Sequence, residues 1–479
     1  MPPMGMAALE AGERRRIRVN GPGTRIASIS GLRGVVGDGL DPVTAVEFAA
    51  AYAGECQPGP IVVGHDGRAS AAVFTAAVEA GVTATGHDVW LAGPVATPTI
   101  GWLVRERRAA GGIQISASHN PPQYNGLKFF QPGGMVLGGS QGQALLDRWR
   151  RRDFPWASWD ALGRSHRLED PDSGHLAGVL EVLDVAAIRR RGFPVVVDAC
   201  HGAGGRLATA LLEAVGAHAL VLGGAPDGRY DHPPEPTEKN LRTFSAIVPA
   251  VGAAVGFAQD PDADRLAIID ETGRYIGEEL TLALAASRRL EQARGPLVIN
   301  LSTSRACEDV ARRLGCPVVR TPVGEINVVE GMLAESAVLG GEGNGGVIDP
   351  RIGYVRDSVL AMGLVLDLMA ATGERLSRLV AGLPQYTMVK EQYPLGGTEA
   401  GASRDVAALW DRIATAFPEA RADRRDGLRL EWDDRWVHIR ASNTEPIVRV
   451  IAEAVEPAEA RDLTVRIGRW VSSTAEAIA

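Results

Sequence analysis

Short runs of β-branched and aliphatic residues recur along the chain with a fixed sequel: a turn of small residues, an amphipathic stretch closing at glycine, and at once another apolar run. Ile61 to Gly64 opens one such unit, with a helix from about Ser70 closing at Gly86 and a strand from His87 to Leu91. Pro194 to Asp198, a helix from Arg206 to Val215 closing at Gly216, and Ala217 to Leu222 make the second. Pro296 to Asn300, a helix from Ser304 to Leu314 closing at Gly315, and Cys316 to Arg320 make the third. Strand, helix and strand in this order predict a right-handed parallel crossover. Three copies predict an internal repeat of α/β domains whose ligands meet at strand ends.

Two flanking regions depart from the repeat. Ahead of it, Ser28 to Gly34 predicts a short strand running into a glycine turn that presents Arg33, and Asp41-Pro42 supplies an N-cap and first-turn proline for a helix from Val43 to Ala53. Beyond it, Leu428 to Trp432 and Arg435 to Arg440 alternate at period two around Asp433-Asp434, a hairpin, followed by a strand Ile447 to Ala452 and a helix from Pro457. This last unit is α+β. Residues 1–24 are Pro-, Gly- and Arg-rich without periodicity and read as a loose leader. The expected division is therefore 25–165, 166–270, 271–385 and 386–479, and a chain of 479 residues is too long for one core.

Composition narrows the function classes. A net charge of -8 argues against general nucleic-acid binding and leaves room only for a local basic pocket that takes a small anion. No apolar run is long enough to span a membrane, and the N-terminus lacks a signal-peptide core. Cys56, Cys200, Cys307 and Cys316 are scattered without Cys-x-x-Cys spacing, as expected of reduced thiols in a cytoplasmic protein.

Four loops carry candidate chemistry. Ser116 to Phe130 reads SASHNPPQYNGLKFF; an apolar lead-in from Gly112 meets Asn-Pro-Pro, which stops a strand and forces a turn. Ser118 is thereby expected at an exposed strand end as a nucleophile. His119 is expected on the opposite face of extended chain, poorly placed to deprotonate it as in a hydrolase triad. Asp260, Asp262 and Asp264 alternate between two apolar runs, Val255 to Phe257 and Leu266 to Ile269, and three such carboxylates suit one hard cation. An EF-hand is rejected because Arg265 stands where its glycine belongs and the flanks read as strands. Gly341 to Gly346 matches G-x-G-x-x-G after a strand-like Ala337 to Leu339. Asp349-Pro350 and Gly353 nevertheless intervene before the next helix near Asp357, so this is no dinucleotide fingerprint. Glu342 and Asn344 could bind hydroxyls there. Arg440, Ser442, Asn443 and Thr444, with Arg449 beyond, cluster donors suited to phosphate. Taken singly, each loop also has a plain reading as an ordinary turn.

Taken together and in this order, SASHNP, DPDADR, GEGNGG and RASNTEP resemble the α-D-phosphohexomutase family from about Arg25 onward, and SISGLRG, VGHDGRAS and Pro94 to Pro98 look like the family's first domain. The resemblance implies three repeated α/β/α domains with mixed sheets plus a C-terminal α+β domain around one cleft. It implies that Ser118 is carried as phosphoserine and that Asp260, Asp262 and Asp264 bind Mg²⁺ together with the Ser118 phosphate. Glu342 and Asn344 would hold sugar hydroxyls, and Arg440, Ser442, Asn443 and Thr444 the non-reacting phosphate. Arg33 and Arg265 could steady the anionic centre, with structural salt bridges as the equal alternative, and Lys128 and His119 are the candidates for acid–base work. Many relatives carry Ser and His where this chain has Asn344 and Gly346, so proton transfer by that His is unavailable here. The loop, with Arg320 to Glu325, looks more like the archaeal-type phosphoglucosamine mutase branch. The expectation is a cytoplasmic, Mg²⁺-dependent enzyme, monomer or homodimer, acting on a phosphosugar through a hexose 1,6-bisphosphate. Glucosamine phosphate stands ahead of mannose and glucose phosphates. A phosphosugar-binding protein without turnover and a serine phosphatase-like hydrolase are the alternatives.

Overall fold

The computed structural model describes residues 26–28, 31–394, 402–442 and 447–476. The leader 1–24 and, from the phosphate loop, Asn443 and Thr444 lie outside the described residues. The three crossover units give the parallel pairs Ile61–His65 with Val89–Pro94, Pro194–Asp198 with His218–Leu222, and Leu297–Asn300 with Val318–Thr321. The first strand of each pair is a nearly continuous apolar run buried on both faces, so alternation is absent there. The intervening helices stop at Gly86, Gly216 and Gly315, all with positive φ, where a residue with a Cβ would be strained.

The repeat extends further than the crossovers. In each sheet a third parallel strand, Gly111–Ile115, Val255–Gln259 or Leu339–Glu342, lies on the other side of the first. It then doubles back antiparallel as Tyr124–Phe130, Leu266–Asp270 or Gly346–Ile348. The serine, aspartate and sugar loops are these three equivalent turns. The first sheet alone is larger, adding Gly31–Val36, Ile26–Ser28 and Gly39–Leu40 beyond its hairpin and Ser165–Arg167 at its other edge.

Two local expectations are corrected. Arg33 is within the strand Gly31–Val36, opposite Gly126, and not on a glycine turn after a strand; Gly31, with φ of +117°, bends the chain before Arg33 instead. The strand entering the sugar loop runs Leu339–Glu342, later than Ala337 to Leu339, because side chains from neighbouring helices fill the faces of Gly340 and Gly341. A Cβ on Gly340 would lie 2.3 Å from Met332 Sδ, and one on Gly341 2.8 Å from Leu282.

One apolar cluster joins the second and third repeats, running from Val195, Leu207 and Phe257 to Ile299, Leu339 and Val347 around the helix Ser358–Thr372, which is buried on all sides. The fourth domain is an antiparallel sheet of five strands in the order Thr387–Pro394, Ile447–Ala454, Arg435–Ala441, Leu428–Glu431, Arg421–Asp423. Its apolar face, including Leu430, Val437, Ile439 and Val450, closes on Ile413 and Ile467 from two helices of the same domain. The other face is polar and docks on the third domain. Ser302 Oγ meets His438 Nδ1 at 2.8 Å, the Arg305 amide donates to Glu453 at 2.8 Å, and Asp426 accepts from the Val323 amide at 2.8 Å. Among the described residues no helix is long and apolar enough to cross a membrane.

Candidate active site

The serine loop is held from below by a residue 50 positions earlier. Arg68, 2% exposed, pairs with Asp66 at 2.9 Å and donates to the carbonyls of Ser118 (2.5 Å), Asn120 (2.7 Å), Pro121 (2.8 Å) and Tyr124 (3.1 Å). Ser116 Oγ donates to Asp66 and accepts from the Ser118 amide. These bonds fix Ser118 at φ +49°, a left-handed conformation costly for any residue with a Cβ. Ser118 is therefore not exposed as expected. It is 4% exposed because the aspartate loop lies over it, with Ser118 Oγ donating to Asp260 Oδ2 at 2.7 Å. Nor does His119 point away: the left-handed turn swings its Nδ1 to 3.3 Å from Ser118 Oγ, where extended chain would have separated them. His119 faces Arg265 and Arg33, and Arg265 first, then burial, then Arg33 push its imidazole down to about 2, so the ring is neutral. Arg33 Nη1 donates to Asn120 Oδ1 at 2.7 Å.

The aspartate loop meets the conditions for a hard cation. Asp260, Asp262 and Asp264 are all fully buried, and one carboxylate oxygen from each lies within 4.8 Å of the others. Asp262 Oδ1 and Asp264 Oδ1 are buried without a hydrogen-bond partner. Burial, then the Asp262 and Asp264 charges, hold the Asp260 carboxyl well above the usual range. An oxygen-ligated divalent ion relieves both the orphaned oxygens and the like-charge crowding, so the donor set fits Mg²⁺. The opposite edges are already taken. Asp262 Oδ2 accepts from Thr97 Oγ1 (2.7 Å) and Lys128 Nζ (3.3 Å), and Asp264 Oδ2 from Lys128 Nζ (2.9 Å) and Arg356 Nη2 (2.6 Å). Burial alone would pull the Lys128 proton off, but Asp264 and Asp262 outweigh it and hold the ammonium well above its ordinary range. Lys128 is thus held as a cation between the two aspartates. Arg265 stands beside Asp264, with Nε 3.7 Å from Oδ1.

In the sugar loop Glu342 is 4% exposed and fully engaged. Its Oε1 accepts from Asn300 Nδ2 (2.8 Å) and the Gly324 amide (3.2 Å), and its Oε2 from Arg356 Nη1 (2.7 Å) and Asn344 Nδ2 (3.4 Å). Asn344 Oδ1 accepts from the Gly346 amide. In the fourth domain Arg440 Nε sits 2.9 Å from Asp426 Oδ2, Ser442 closes the hairpin through its amide to Ile447 O, and Arg449 is the cross-strand partner of Arg440.

Sequence reasoning did not assign Arg68, Thr97, Asn300 or Arg356, all of which bond residues of these loops, or Glu325, which bonds Arg356. Arg68 and Thr97 lay in stretches already singled out, and Glu325 in the Arg320 to Glu325 segment; their partners, from 14 to 165 positions distant, left no trace in the local pattern.

The chain is similar to known proteins over nearly its whole length. Models of the phosphoglucomutase/phosphomannomutase domains match in order: α/β/α domain I over residues 25–156, domain II over 173–273, domain III over 277–386 and the C-terminal domain over 404–468. A phosphoglucomutase/phosphomannomutase of Thermococcus kodakarensis is 36% identical over 440 residues, 90% of this chain and 95% of the relative. A probable phosphoglucosamine mutase of Methanopyrus kandleri is 34% identical, covering 91% and 95%. The crystal structure of a phosphoglucomutase/phosphomannomutase family protein from Burkholderia thailandensis superposes with a TM-score of 0.82 at 27% identity, over 94% of this chain and 97% of that one. With four matching domains in sequence and relatives matched over nearly their whole length, the chain belongs to the α-D-phosphohexomutase family and is an intramolecular phosphotransferase of the isomerase class.

Proposed function

We propose that the chain moves a phosphoryl group between O1 and O6 of an α-D-hexose phosphate, with glucosamine phosphate as its principal substrate. The observation that carries this reading is the Ser118 hydroxyl bonded to Asp260 beside two orphaned carboxylate oxygens, with Arg33, Arg265, Lys128 and Arg356 gathered around it. Phosphoryl transfer needs positioning and charge neutralisation more than covalent activation, and each of these groups offers one or the other. Ser118, carried as phosphoserine, gives its phosphoryl to the free sugar hydroxyl: the bond from Ser118 Oγ to phosphorus breaks, the bond from the sugar oxygen forms, and the hydroxyl proton passes to a neighbouring base. The resulting 1,6-bisphosphate turns over and returns its other phosphate to Ser118.

His119, 3.3 Å from the Ser118 hydroxyl, and Lys128, on the aspartates, are the groups proposed to handle that proton; the guanidiniums that push the His119 imidazole down would be offset by an incoming phosphate. Asp260, Asp262 and Asp264 would hold Mg²⁺ with the Ser118 phosphate, where the ion supplies neutralisation of the charge on the transferring group. Arg440, Ser442, Asn443, Thr444 and Arg449 would grip the non-reacting phosphate, and Glu342 and Asn344 would meet the sugar hydroxyls. Because both Glu342 oxygens are engaged, a hydroxyl must replace one of its present partners. Four unpaired cysteines fit a reducing, cytoplasmic setting.

A second reading, a mutase of broad specificity for glucose and mannose phosphates, is favoured by the name of the Thermococcus relative. A coupled assay with glucosamine, mannose and glucose phosphates, Mg²⁺ and a trace of the matching 1,6-bisphosphate separates the two. A dominant rate on glucosamine phosphate supports the first reading and comparable rates the second, while isomerisation of none of them overturns both. Ser118→Ala is expected to abolish interconversion and keep phosphosugar binding; unchanged turnover would remove Ser118 from the mechanism.

A further inference from the structure

Arg356 lies between the strand Gly346–Ile348 and the helix Ser358–Thr372, and its backbone is pinned on both sides. Its amide donates to Glu325 Oε1 at 3.0 Å. The next residue, Asp357, caps the helix through the Val359 and Leu360 amides and pairs with His175 Nε2 at 2.7 Å. From this fixed base the guanidinium reaches two loops at once, with Nη1 at 2.7 Å from Glu342 Oε2 and Nη2 at 2.6 Å from Asp264 Oδ2. Glu325 Oε2 stands 3.5 Å away on a third side. The side chain crosses the sugar loop directly over Gly346, where a Cβ would come within 2.2 Å of Arg356 Cδ. Glycine at 346 is what admits the arginine.

The geometry points to Arg356 as a positioning residue that makes cation affinity at the aspartate loop and the conformation of the sugar loop depend on each other. From the edge opposite the orphaned oxygen it offsets the charge of the Asp264 carboxylate, and Glu342 draws part of the guanidinium away from it. Whatever engages Glu342 alters how firmly Arg356 claims Asp264, and by linkage a cation on the aspartates alters Glu342. The inference rests on the reading of Asp260, Asp262 and Asp264 as a cation site.

The test is calorimetric titration of Mg²⁺ into the dephosphorylated full-length protein, with no turnover involved. Arg356→Gln is expected to tighten Mg²⁺ by about tenfold, since a competing positive charge leaves Asp264, while lowering kcat in the mutase assay. A merely structural arginine would weaken both. Glu342→Gln is expected to weaken Mg²⁺ about fivefold in the wild-type background, because Arg356 then falls wholly to Asp264, and less than about twofold in the Arg356→Gln background. Gly346→Ala, which displaces the arginine without removing it, should tighten Mg²⁺ as well and serves if Arg356→Gln does not fold. Equal effects of Glu342→Gln in both backgrounds, or weaker Mg²⁺ binding on loss of Arg356, overturn the proposal alone. No Mg²⁺ binding by the wild type overturns it together with the cation site, whatever the mutase assay returns.

Discussion

The serine and aspartate loops and the fourth domain are built on opposite principles. The loops meet in an interior where Asp66, Asp260, Asp262 and Asp264 are all fully buried, each with a cation or hydroxyl on at least one oxygen, and the domain that carries the aspartate loop shares one apolar core with the third, from Val195 to Val347. The fourth domain keeps its apolar core to itself and meets the third through side-chain and amide hydrogen bonds on the polar face of its sheet. Parting the serine and aspartate loops would strand fully buried carboxylates from their partners, at several kcal/mol, whereas opening the junction returns its polar groups to water without exposing the apolar core of either domain. The difference teaches that the half of the cleft proposed to react is the more firmly held, and the half proposed to grip phosphate the more easily parted.

The contrast is broken most forcefully at Arg68. Arg68→Met leaves Asp66 buried and unpaired and frees four loop carbonyls, so chemical denaturation should show a loss of about 3–5 kcal/mol with isomerisation lost as well. Adding Asp66→Asn should return part of the stability. A loss under about 1 kcal/mol would mean that the serine loop is no more rigid than the fourth domain.

The junction with the fourth domain is sharpened by acid. Burial first of all pushes His438 down to about 4, against an ordinary value of 6.5. Its Nε2 is bonded to Asp426 O at 2.7 Å and its Nδ1 to Ser302 Oγ. Between those two values the unfolded chain binds the proton that the folded chain refuses, so stability is full above pH 6.5 and falls as pH drops toward 4, by up to about 3 kcal/mol. Thermal melts across this range should show the slope in the wild type and a flatter curve for His438→Gln. An unchanged slope would detach His438 from the junction.

The mildest test is Asp426→Asn. Asp426 holds Arg440 at 2.9 Å and the Val323 amide at 2.8 Å. Its loss should cost only about 1 kcal/mol of stability and raise KM for the phosphosugar a few-fold with kcat little changed. A fall in kcat instead would show that the junction carries strain into the reacting half.

Much of this was legible in the sequence because apolar periodicity reports which face of an element is buried, and the crossovers and the hairpin around Asp433-Asp434 state that directly. The hairpins that follow each crossover were harder to see, since glycines at Gly340 and Gly341 blur the strand that ends in Glu342. Ser118 was found as a residue but misjudged as an environment. Its burial comes from Asp260, 142 positions on, and its left-handed turn from bonds to Arg68 and Ser116, contacts that no local pattern encodes. Arg356 was missed for the same reason: nothing at position 356 announces partners on two other loops.

Because the serine, aspartate and sugar loops are the same turn in three copies of one unit, the catalytic centre is an assembly of interchangeable parts. Each turn hangs from its own sheet, so the residues of the sugar loop other than Glu342 and Gly346, which bear on Arg356, can change without redrawing the other two. On the proposed assignment, a lineage could exchange one sugar for another within a single turn while it inherits the phosphoryl chemistry intact.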